Sequence, residues 1–244
     1  MDDLEEIRRF WDADAATYDN APGHHPRHGA VLAAWASALA GMLPAPPARV
    51  LDCGAGTGFL SLLAAAAGHQ VTALELAPRM LERLHATAAG RGLDIETVLG
   101  PAHDVPPGPF DAVMERHLVW TLPDPVGTLR AWRTVAPAGR LVVIESIWGT
   151  ADALERLRGA GRDALRRARG IARDHHDDYP AEVRGRLPFG RGTAPGDVVA
   201  AVAEAGWKAP RLVRLRDVEW AERQAMALPE RCLGVAPRFA VLAG

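Results

Sequence analysis

Three glycines alternate in the stretch VLDCGAGTGFL of residues 50–60, at Gly54, Gly56 and Gly58, directly after an apolar run. Glycine adopts positive φ angles without steric cost, and its missing side chain lets a ligand contact bare main chain. A helix predicted from Thr57 adds unpaired N–H groups and the positive end of a helix dipole, both of which suit an anionic group. The stretch therefore predicts a ligand-binding turn between a strand and a helix.

A carboxylate, Glu75, ends the next predicted strand, 21 residues after Gly54. Carboxylates that bind a ribose follow such a turn by about 20 residues, and one carboxylate can accept hydrogen bonds from both ribose hydroxyls. The dinucleotide motif GxGxxG places its third small residue where this chain has Phe59, which disfavours a pyrophosphate. The pattern favours a ribose site, and a nucleotide-dependent oxidoreductase stays an alternative.

Histidines in two segments raise the question of a metal site. His24, His25 and His28 lie in a Pro/Gly-rich loop, and HHDD occupies 175–178. Zinc sites draw on cysteines and histidines at characteristic spacings, and the chain's two cysteines supply no partner at such a spacing. We therefore predict no metal and interpret both segments as loops, the second as a hinge or substrate cap.

The bulk composition limits the function classes. The chain has 244 residues, 48% of them hydrophobic, which suffices for one large α/β domain. A formal charge of −2 gives no electrostatic reason to bind nucleic acid. The N-terminal MDDLEEIRRFW lacks the apolar segment of a signal peptide, and no apolar run approaches the length of a membrane span. We expect a cytoplasmic protein that binds neither nucleic acid nor a membrane.

The elements that must position these residues alternate between strands and helices. The hydrophobic pattern predicts strands at 49–53, 70–76, 95–100, 110–115, 140–146, 211–220 and 238–243. It predicts helices at 3–11, 27–43, 57–67, 78–90, 124–136, 151–173 and 195–205. Strands that alternate with helices imply right-handed crossovers and a parallel sheet, whose carboxyl edge borders the glycine turn.

Five ordered motifs, together with Glu75, resemble a known family. In chain order, they are FWDADAATYD at 10–19, DCGAGTG, Glu75, APRML at 77–81, FDAVMERHLVWTLPDP at 110–125 and WRTVAPAGRLVVIE. This set resembles class I S-adenosylmethionine-dependent methyltransferases, most closely the ubiquinone/menaquinone-biosynthesis branch (methyltransferase type 11). The resemblance covers residues 8–148 and extends to small-molecule methyltransferases of antibiotic biosynthesis.

The resemblance implies a Rossmann-like α/β three-layer sandwich, with a seven-stranded, mostly parallel sheet whose antiparallel last strand comes from a C-terminal hairpin. It implies a single methyltransferase domain over residues 1–244. Within it, an N-terminal helical lid (1–30) precedes a cofactor-binding core (44–148). A helical substrate-cap insertion (150–192) and a C-terminal helix and hairpin (193–244) follow. We expect a monomer or a homodimer, with the acceptor bound between the lid and the insertion.

The resemblance also implies contacts to S-adenosylmethionine, with S-adenosylhomocysteine as product. The glycine turn and Asp52 would hold the methionine end of the cofactor, and Glu75 its ribose. The remaining expected contacts, to the adenine or near the sulfonium, are Tyr18, Leu76, Met80, Ala102, His103, Glu115 and Arg116. Many relatives have Asp where this chain has Pro101, so adenine contacts are expected from the backbone or His103.

Methyl transfer from a sulfonium is an in-line displacement with an already activated donor, so the protein mainly aligns the acceptor. A base is needed only for a hydroxyl or a protonated amine. We predict His117 in that role, with Glu115 or Tyr18 as alternatives; a histidine that is only hydrogen-bonded within its loop stays open. The predicted reaction is N- or O-methylation of a small natural product or metabolite, with an aminosugar as the first compound to test. A non-catalytic or regulatory cofactor-binding protein stays an alternative.

Overall fold

The computed structural model describes residues 3–21, 23–148, 153–168 and 181–244. Seven strands form one sheet in the order β3-β2-β1-β4-β5-β7-β6. Their bounds are Arg49–Cys53 (β1), Gln70–Glu75 (β2), Glu96–Leu99 (β3), Ala112–Arg116 (β4), Arg140–Ser146 (β5), Arg211–Arg214 (β6) and Arg238–Ala243 (β7). All pairings among strands β1 to β5 are parallel, and β7 runs antiparallel to both of its neighbours, β5 and β6. The predicted fold class is confirmed.

Helices cover both faces of the sheet. Their bounds in the described residues are Asp3–Asp14 (α1), Gly29–Met42 (α2), Phe59–Ala66 (α3), Pro78–Gly90 (α4), Pro125–Val135 (α5), Ala153–Ala168 (α6), Ala181–Arg186 (α7), Pro195–Glu204 (α8), Arg216–Ala225 (α9) and Leu228–Leu233 (α10). Two single 3₁₀ turns, Tyr18–Asn20 and Val119–Thr121, adjoin the carboxyl edge of the sheet. Among the described residues, no helix combines the length and the apolarity that crossing a bilayer requires.

Two buried apolar layers hold the sandwich together. On one face, α2, α3, α4 and α9 pack against the sheet around Trp35. On the other face, α5 and α8 pack against it around Trp132. The central strands are buried on both faces, which explains their nearly continuous apolar sequences. This packing fixes the carboxyl ends of β1, β2, β4 and β5 relative to one another, and the candidate site lies there.

The prediction of a strand over 211–220 is wrong beyond Arg214. The strand ends there, and α9 follows, because Leu215, Val218 and Ala221 recur at helical spacing and bury one helix face. The last two strands are therefore antiparallel neighbours joined through α9 and α10, not by the predicted hairpin.

The predicted Arg-rich helix over 151–173 is described as α6, and its last five residues lie outside the described residues. The sequence pattern predicts one apolar face on this helix, with Leu154, Leu157, Ala160, Ala164, Leu165, Ala168 and Ile171. Two of its leucines are largely exposed, Leu154 at 53% and Leu157 at 71%. The helix does contact α10, where Leu233 lies against Gly161 and Arg162 donates to the Leu233 carbonyl at 3.3 Å. On the face itself, Ala160, Ala164 and Ala168 are exposed as well and Leu165 is partly buried, so none of its described residues is fully buried.

Candidate active site

The glycine turn lies at the carboxyl end of β1, and all three of its glycines have left-handed φ angles: 64° at Gly54, 56° at Gly56 and 90° at Gly58. A Cβ at Gly54 would lie 2.7 Å from Leu118, and one at Gly58 would lie 2.6 Å from Leu84. These two positions need glycine for packing as well as for backbone conformation. A Cβ at Gly56 would meet only Tyr18, at 3.8 Å, so this glycine presents bare main chain between the lid and the sheet.

Glu75, at the end of β2, lies directly beside this turn. Its Oε2 accepts a hydrogen bond from the Gly56 amide at 2.9 Å. Its Oε1 accepts from the amides of Leu76 and Ala77 at 2.8 and 2.9 Å. Burial raises the pKa of Glu75, and these three N–H donors oppose that rise. A carboxylate offers about four acceptor positions, so the side chain is fixed and still has capacity for a ligand hydroxyl.

A narrow cleft opens above the turn, between α1, the ends of β2 and β4, and the loop that follows β4. It is lined by Leu4, Ile7, Trp11, Tyr18, Gly54, Gly56, Leu74, Glu75, Leu76, Met80, Gly100, Ala102, Arg116, His117, Leu118, Thr121, Leu122 and Pro123. Eight of the predicted cofactor contacts are in this set, together with the predicted base His117. The apolar walls with a few convergent polar groups are typical of a small-molecule site.

Four predicted contacts do not line the cleft. Gly58 packs on Leu84 below the turn, and the His103 side chain is exposed to solvent. Asp52 is buried and accepts from Ser61 Oγ at 2.6 Å. Glu115 is fully buried beneath the cleft floor.

The pKa values of the two buried carboxyls, Asp52 and Glu115, are strongly raised. Burial raises the pKa of Asp52 to about 7, against the opposing hydrogen bond from Ser61. Burial also raises the pKa of Glu115 to about 8, although its oxygens accept from the amides of Leu118 at 2.7 Å and Ile144 at 3.0 Å. Asp52 lies on the α3 side of the sheet, and Glu115 lies on the opposite face.

Side chains of the N-terminal segment, the predicted lid, line one side of the cleft. Ile7 and Trp11 on α1 face it, and Ile7 also packs against Val183 and Leu187 from the α7 region. Trp11 makes an edge-to-face contact with Tyr18, with ring centroids 5.9 Å apart. Burial raises the pKa of Tyr18 to about 12, so its phenol is neutral. The N-terminal segment and the α7 region thus contact each other beside the cleft.

Polar contacts hold the loop after α1 to the glycine turn. Asp19 accepts from Thr57 Oγ1 at 2.6 Å and from Arg83 Nη2 at 3.0 Å. Arg116, at the end of β4, donates to the carbonyl oxygens of Gly23 and His24. Its guanidinium carbon lies 4.3 Å from the Phe59 ring centroid, a cation–π distance. Burial lowers the pKa of Arg116 to about 10, which leaves it charged at neutral pH.

His117 lies at the cleft wall with both ring nitrogens engaged. Nδ1 is 3.2 Å from Glu145 Oε2, and Nε2 is 3.2 Å from Arg238 Nη1. Burial and the neighbouring arginines hold the pKa of His117 well below its usual range. Burial and the nearby Glu115 raise the pKa of Glu145 well above its usual range. Sequence reasoning missed Glu145 and Arg238.

No group of three or more histidine, cysteine, aspartate or glutamate side chains suited to a metal occurs in the part of the chain that the structure describes. His24 instead stacks on Tyr18, with ring centroids 4.0 Å apart. His25 is half-buried, its Nδ1 3.7 Å from Asp19 Oδ1. The 175–178 segment lies outside the described residues.

The site fits a nucleoside. Gly56 forms a cradle that a side chain would fill, and Glu75 supplies a fixed carboxylate 2.9 Å from that glycine's amide. Leu76 and Met80 continue the same wall with apolar surface that suits a base. The predicted association of the glycine turn with Glu75 is thus present in the structure.

Proteins of known family are similar to this chain in sequence. Residues 51–143 match a family model described as a methyltransferase domain. The chain is 31% identical over 185 residues to the ubiquinone biosynthesis O-methyltransferase of Xanthomonas campestris pv. campestris, with 73% of each chain covered. The protein of that name from Bordetella parapertussis is 32% identical over 152 residues, which cover 59% of this chain and 61% of that one.

Solved structures share the fold. Magnesium protoporphyrin IX methyltransferase from Synechocystis, with S-adenosylhomocysteine bound, superposes with a TM-score of 0.62 at 13% identity and 99% coverage of both chains. Mitomycin 7-O-methyltransferase gives a TM-score of 0.56 at 20% identity; the match covers 87% of this chain and 53% of that protein, about half of its length. At these identities the likeness shows the architecture alone.

Proposed function

The chain belongs to the S-adenosylmethionine-dependent methyltransferases, and on that premise we propose that it methylates an oxygen atom of a small-molecule acceptor. The observation that carries the proposal is the contact between Glu75 and the glycine turn at the mouth of the cleft. The choice of oxygen is supported by curated relatives that are named O-methyltransferases. Methylation of nitrogen, including that of an aminosugar, is the second candidate.

We assign the cofactor contacts to the predicted residues that line the cleft. Glu75 would accept from the ribose hydroxyls, and Gly54 and Gly56 would lie along the methionine end. The base would lie against apolar and main-chain surface, and Tyr18 and Arg116 would border the sulfonium end. The base-side residues are Leu76, Met80 and Ala102. We assign no direct contact to the four predicted residues that do not line the cleft: Asp52, Gly58, Glu115 and His103.

S-adenosylmethionine supplies a methyl group that is already activated by its bond to a positively charged sulfur. The chain's own task is to align the acceptor and exclude water, and orientation of this kind can lower a barrier by roughly 7–11 kcal/mol. Ile7 and Trp11 of the lid cover the cleft from above. Asp19 and Arg116 hold the following loop down on the turn.

An acceptor hydroxyl must lose its proton, and His117 is the proposed acceptor of that proton. Glu115 is the weaker alternative because it does not line the cleft and both of its oxygens accept backbone N–H groups. Tyr18 is weaker because a phenol of pKa about 12 is protonated at neutral pH and cannot accept. His117 can act only after Arg238 releases Nε2.

The acceptor would bind between the lid and the α7 region. Trp120 there makes edge-to-face contacts with Trp11 and Trp148, at centroid distances of 6.2 and 5.5 Å. The Arg184 guanidinium carbon lies 5.1 Å from the Trp148 ring. Such aromatic surface favours an acceptor with an apolar ring system over a polar aminosugar. The insertion also carries four acids that would attract an amine. Glu182 is exposed, and Asp174, Asp177 and Asp178 lie outside the described residues.

The test is mass spectrometry of reactions with S-adenosylmethionine and two matched panels, hydroxylated ring compounds and amines or aminosugars. We expect the mass of one methylene to be added to hydroxyl compounds, with equimolar S-adenosylhomocysteine. Fragmentation that places the new methyl on nitrogen, or turnover confined to the amine panel, would overturn the choice of oxygen.

A further inference from the structure

His117 is held from three sides in a conformation that a histidine rarely adopts. Its φ angle is 61°, in the left-handed region, where a residue with a Cβ is destabilised by about 1–2 kcal/mol. Its amide donates to the Ile144 carbonyl at 3.0 Å. Its ring lies between Glu145 of β5 and Arg238 of β7. The surrounding contacts thus fix both the backbone and the ring of this residue.

The identity of Arg238 decides which ring nitrogen carries the hydrogen. An arginine side chain has N–H donors and no acceptor. Nη1 of Arg238 must therefore donate to Nε2 of His117, which presents its lone pair. The hydrogen then lies on Nδ1 and is donated to Glu145 Oε2, 3.2 Å away. The arrangement excludes both the opposite tautomer and the imidazolium while Arg238 is in place.

Arg238 is itself held on other sides. Its Nε donates to Glu222 Oε2 at 2.8 Å, and the side chains of this pair are only 11% and 12% exposed. Nη1 also donates to Ser146 Oγ at 3.0 Å. Ser146 is the strand partner of Arg238 in the pairing of β5 with β7. When Nη1 loses its contact with His117, the guanidinium thus keeps two partners.

We propose that Arg238 is a positioning residue for methyl transfer: its guanidinium holds the His117 imidazole neutral, with its hydrogen on Nδ1, and so selects Nε2 as the nitrogen that meets the acceptor hydroxyl. The inference rests on the proposed function. The hydroxyl displaces Nη1 from Nε2. Its O–H proton passes to Nε2, its oxygen bonds to the methyl carbon, and the electron pair of the broken C–S bond stays on sulfur. Glu145 then faces the imidazolium.

The charged groups around His117 set the sign of the expected effect. Arg238 from β7, Arg116 from β4 and His24 from the lid loop all disfavour a second positive charge. Glu145 from β5 contacts Nδ1 and, with its raised pKa, adds no full negative charge there, and Glu115 and Glu222 lie one contact further away. Loss of the Arg238 charge removes one of the repelling groups, so the pKa of His117 should rise by about 1 unit or more.

The direct test is ¹⁵N NMR of the full chain labelled at histidine, with His117→Ala to assign the signal. In the unmodified protein and in Arg238→Lys, we expect a neutral ring with hydrogen on Nδ1 between pH 6 and 8. In Arg238→Met, we expect titration at higher pH. Arg130→Met, an exposed arginine on α5, is the matched control and should change nothing. Hydrogen on Nε2 in the unmodified protein, or identical titration in Arg238→Met, would overturn the proposal.

A kinetic measurement separates positioning from a merely structural role. In Arg238→Met, the acidic limb of the pH profile of kcat/KM should shift upward by about 1 pH unit. In Arg238→Lys, the limb should stay where it is in the unmodified protein. A lower rate at every pH with an unmoved limb contradicts the proposal. If Arg238→Met does not fold, Glu222→Gln replaces it in the NMR experiment. A smaller shift of the His117 titration in either direction then supports the proposal, and no shift refutes it. Calorimetry with S-adenosylhomocysteine tests the proposed function separately, because the NMR result does not depend on whether the protein binds this ligand.

Discussion

The substitution Glu75→Gln tests the proposed ribose site at the level of single hydrogen bonds. The carboxylate accepts three backbone N–H groups, from Gly56, Leu76 and Ala77. A glutamine oxygen in the Oε1 position can still accept from the latter two. Its NH₂ group would then face the Gly56 amide, donor against donor, and it could not accept a ribose hydroxyl on that side.

The expected magnitude follows from the lost acceptor. A hydrogen bond to a charged group contributes about 1.5–3 kcal/mol. The loss of one such bond to the ribose should weaken S-adenosylhomocysteine binding roughly 10- to 150-fold. The loss of the Gly56 contact should also reduce the unfolding free energy by a similar amount, so circular dichroism must show that the variant is folded at the assay temperature.

The assay is isothermal titration calorimetry with S-adenosylhomocysteine, and Glu96→Gln is the matched control. Glu96 lies on β3, next to β2, and accepts from Thr72 Oγ1 at 2.9 Å on the exposed side of the strand. Its replacement should change the binding free energy by less than about 0.5 kcal/mol. A folded Glu75→Gln protein that binds as tightly as the unmodified chain would refute the ribose assignment.

Four further predictions concern the glycine turn, the lid, a buried carboxyl and the proposed base. Gly56→Ala should lower the unfolding free energy by about 1–2 kcal/mol through its left-handed φ alone, and it should weaken S-adenosylhomocysteine binding. Gly41→Ala in α2 should do neither. If the two variants behave alike in thermal melts and in calorimetry, the role of Gly56 as a cradle is contradicted. Asp19→Asn removes the carboxylate that ties the lid loop to the turn, so stopped-flow dissociation of S-adenosylhomocysteine should be faster, and an unchanged rate would count against the lid. Burial raises the pKa of Asp52 to about 7 from its ordinary value of 3.8, so the folded state binds a proton there that the unfolded state releases, and stability should fall as the pH rises between these values. Asp52→Asn should reduce that slope, from denaturant titrations at several pH values, by up to about 1.4 kcal/mol per pH unit; the same slope in both proteins would refute a protonated carboxyl. His117→Ala should lower kcat for a hydroxyl acceptor roughly 10²- to 10⁴-fold, and full turnover from pH 6 to 9 would remove the base assignment.

Local signals made the core of the fold predictable. Glycine spacing marks the turn at 54–58, because few other residues adopt positive φ there. The alternation of apolar runs with helical patterns gives the parallel order of β1 to β5. The segment RLVRLRDVEW at 211–220 misled because its apolar residues fit both a strand and a helix. Burial of Val218 and Ala221 against the sheet decided for the helix.

Long-range contacts limited the prediction of the site. Glu75 could be placed beside the turn because neighbouring parallel strands end at one edge. Arg238 reaches His117 only because β7 inserts antiparallel beside β5, which aligns Arg238 with Ser146. No spacing in the sequence encodes that register. Burial of Glu115 also depends on the face its strand presents, which its sequence position left open.

The most direct test of the central claim is a crystal structure of the full chain with S-adenosylhomocysteine. We predict that both ribose hydroxyls lie within about 3 Å of the Glu75 carboxylate oxygens, with the amino-acid end of the ligand along Gly54 and Gly56. A nucleoside bound elsewhere, or one whose ribose does not contact Glu75, would contradict the account.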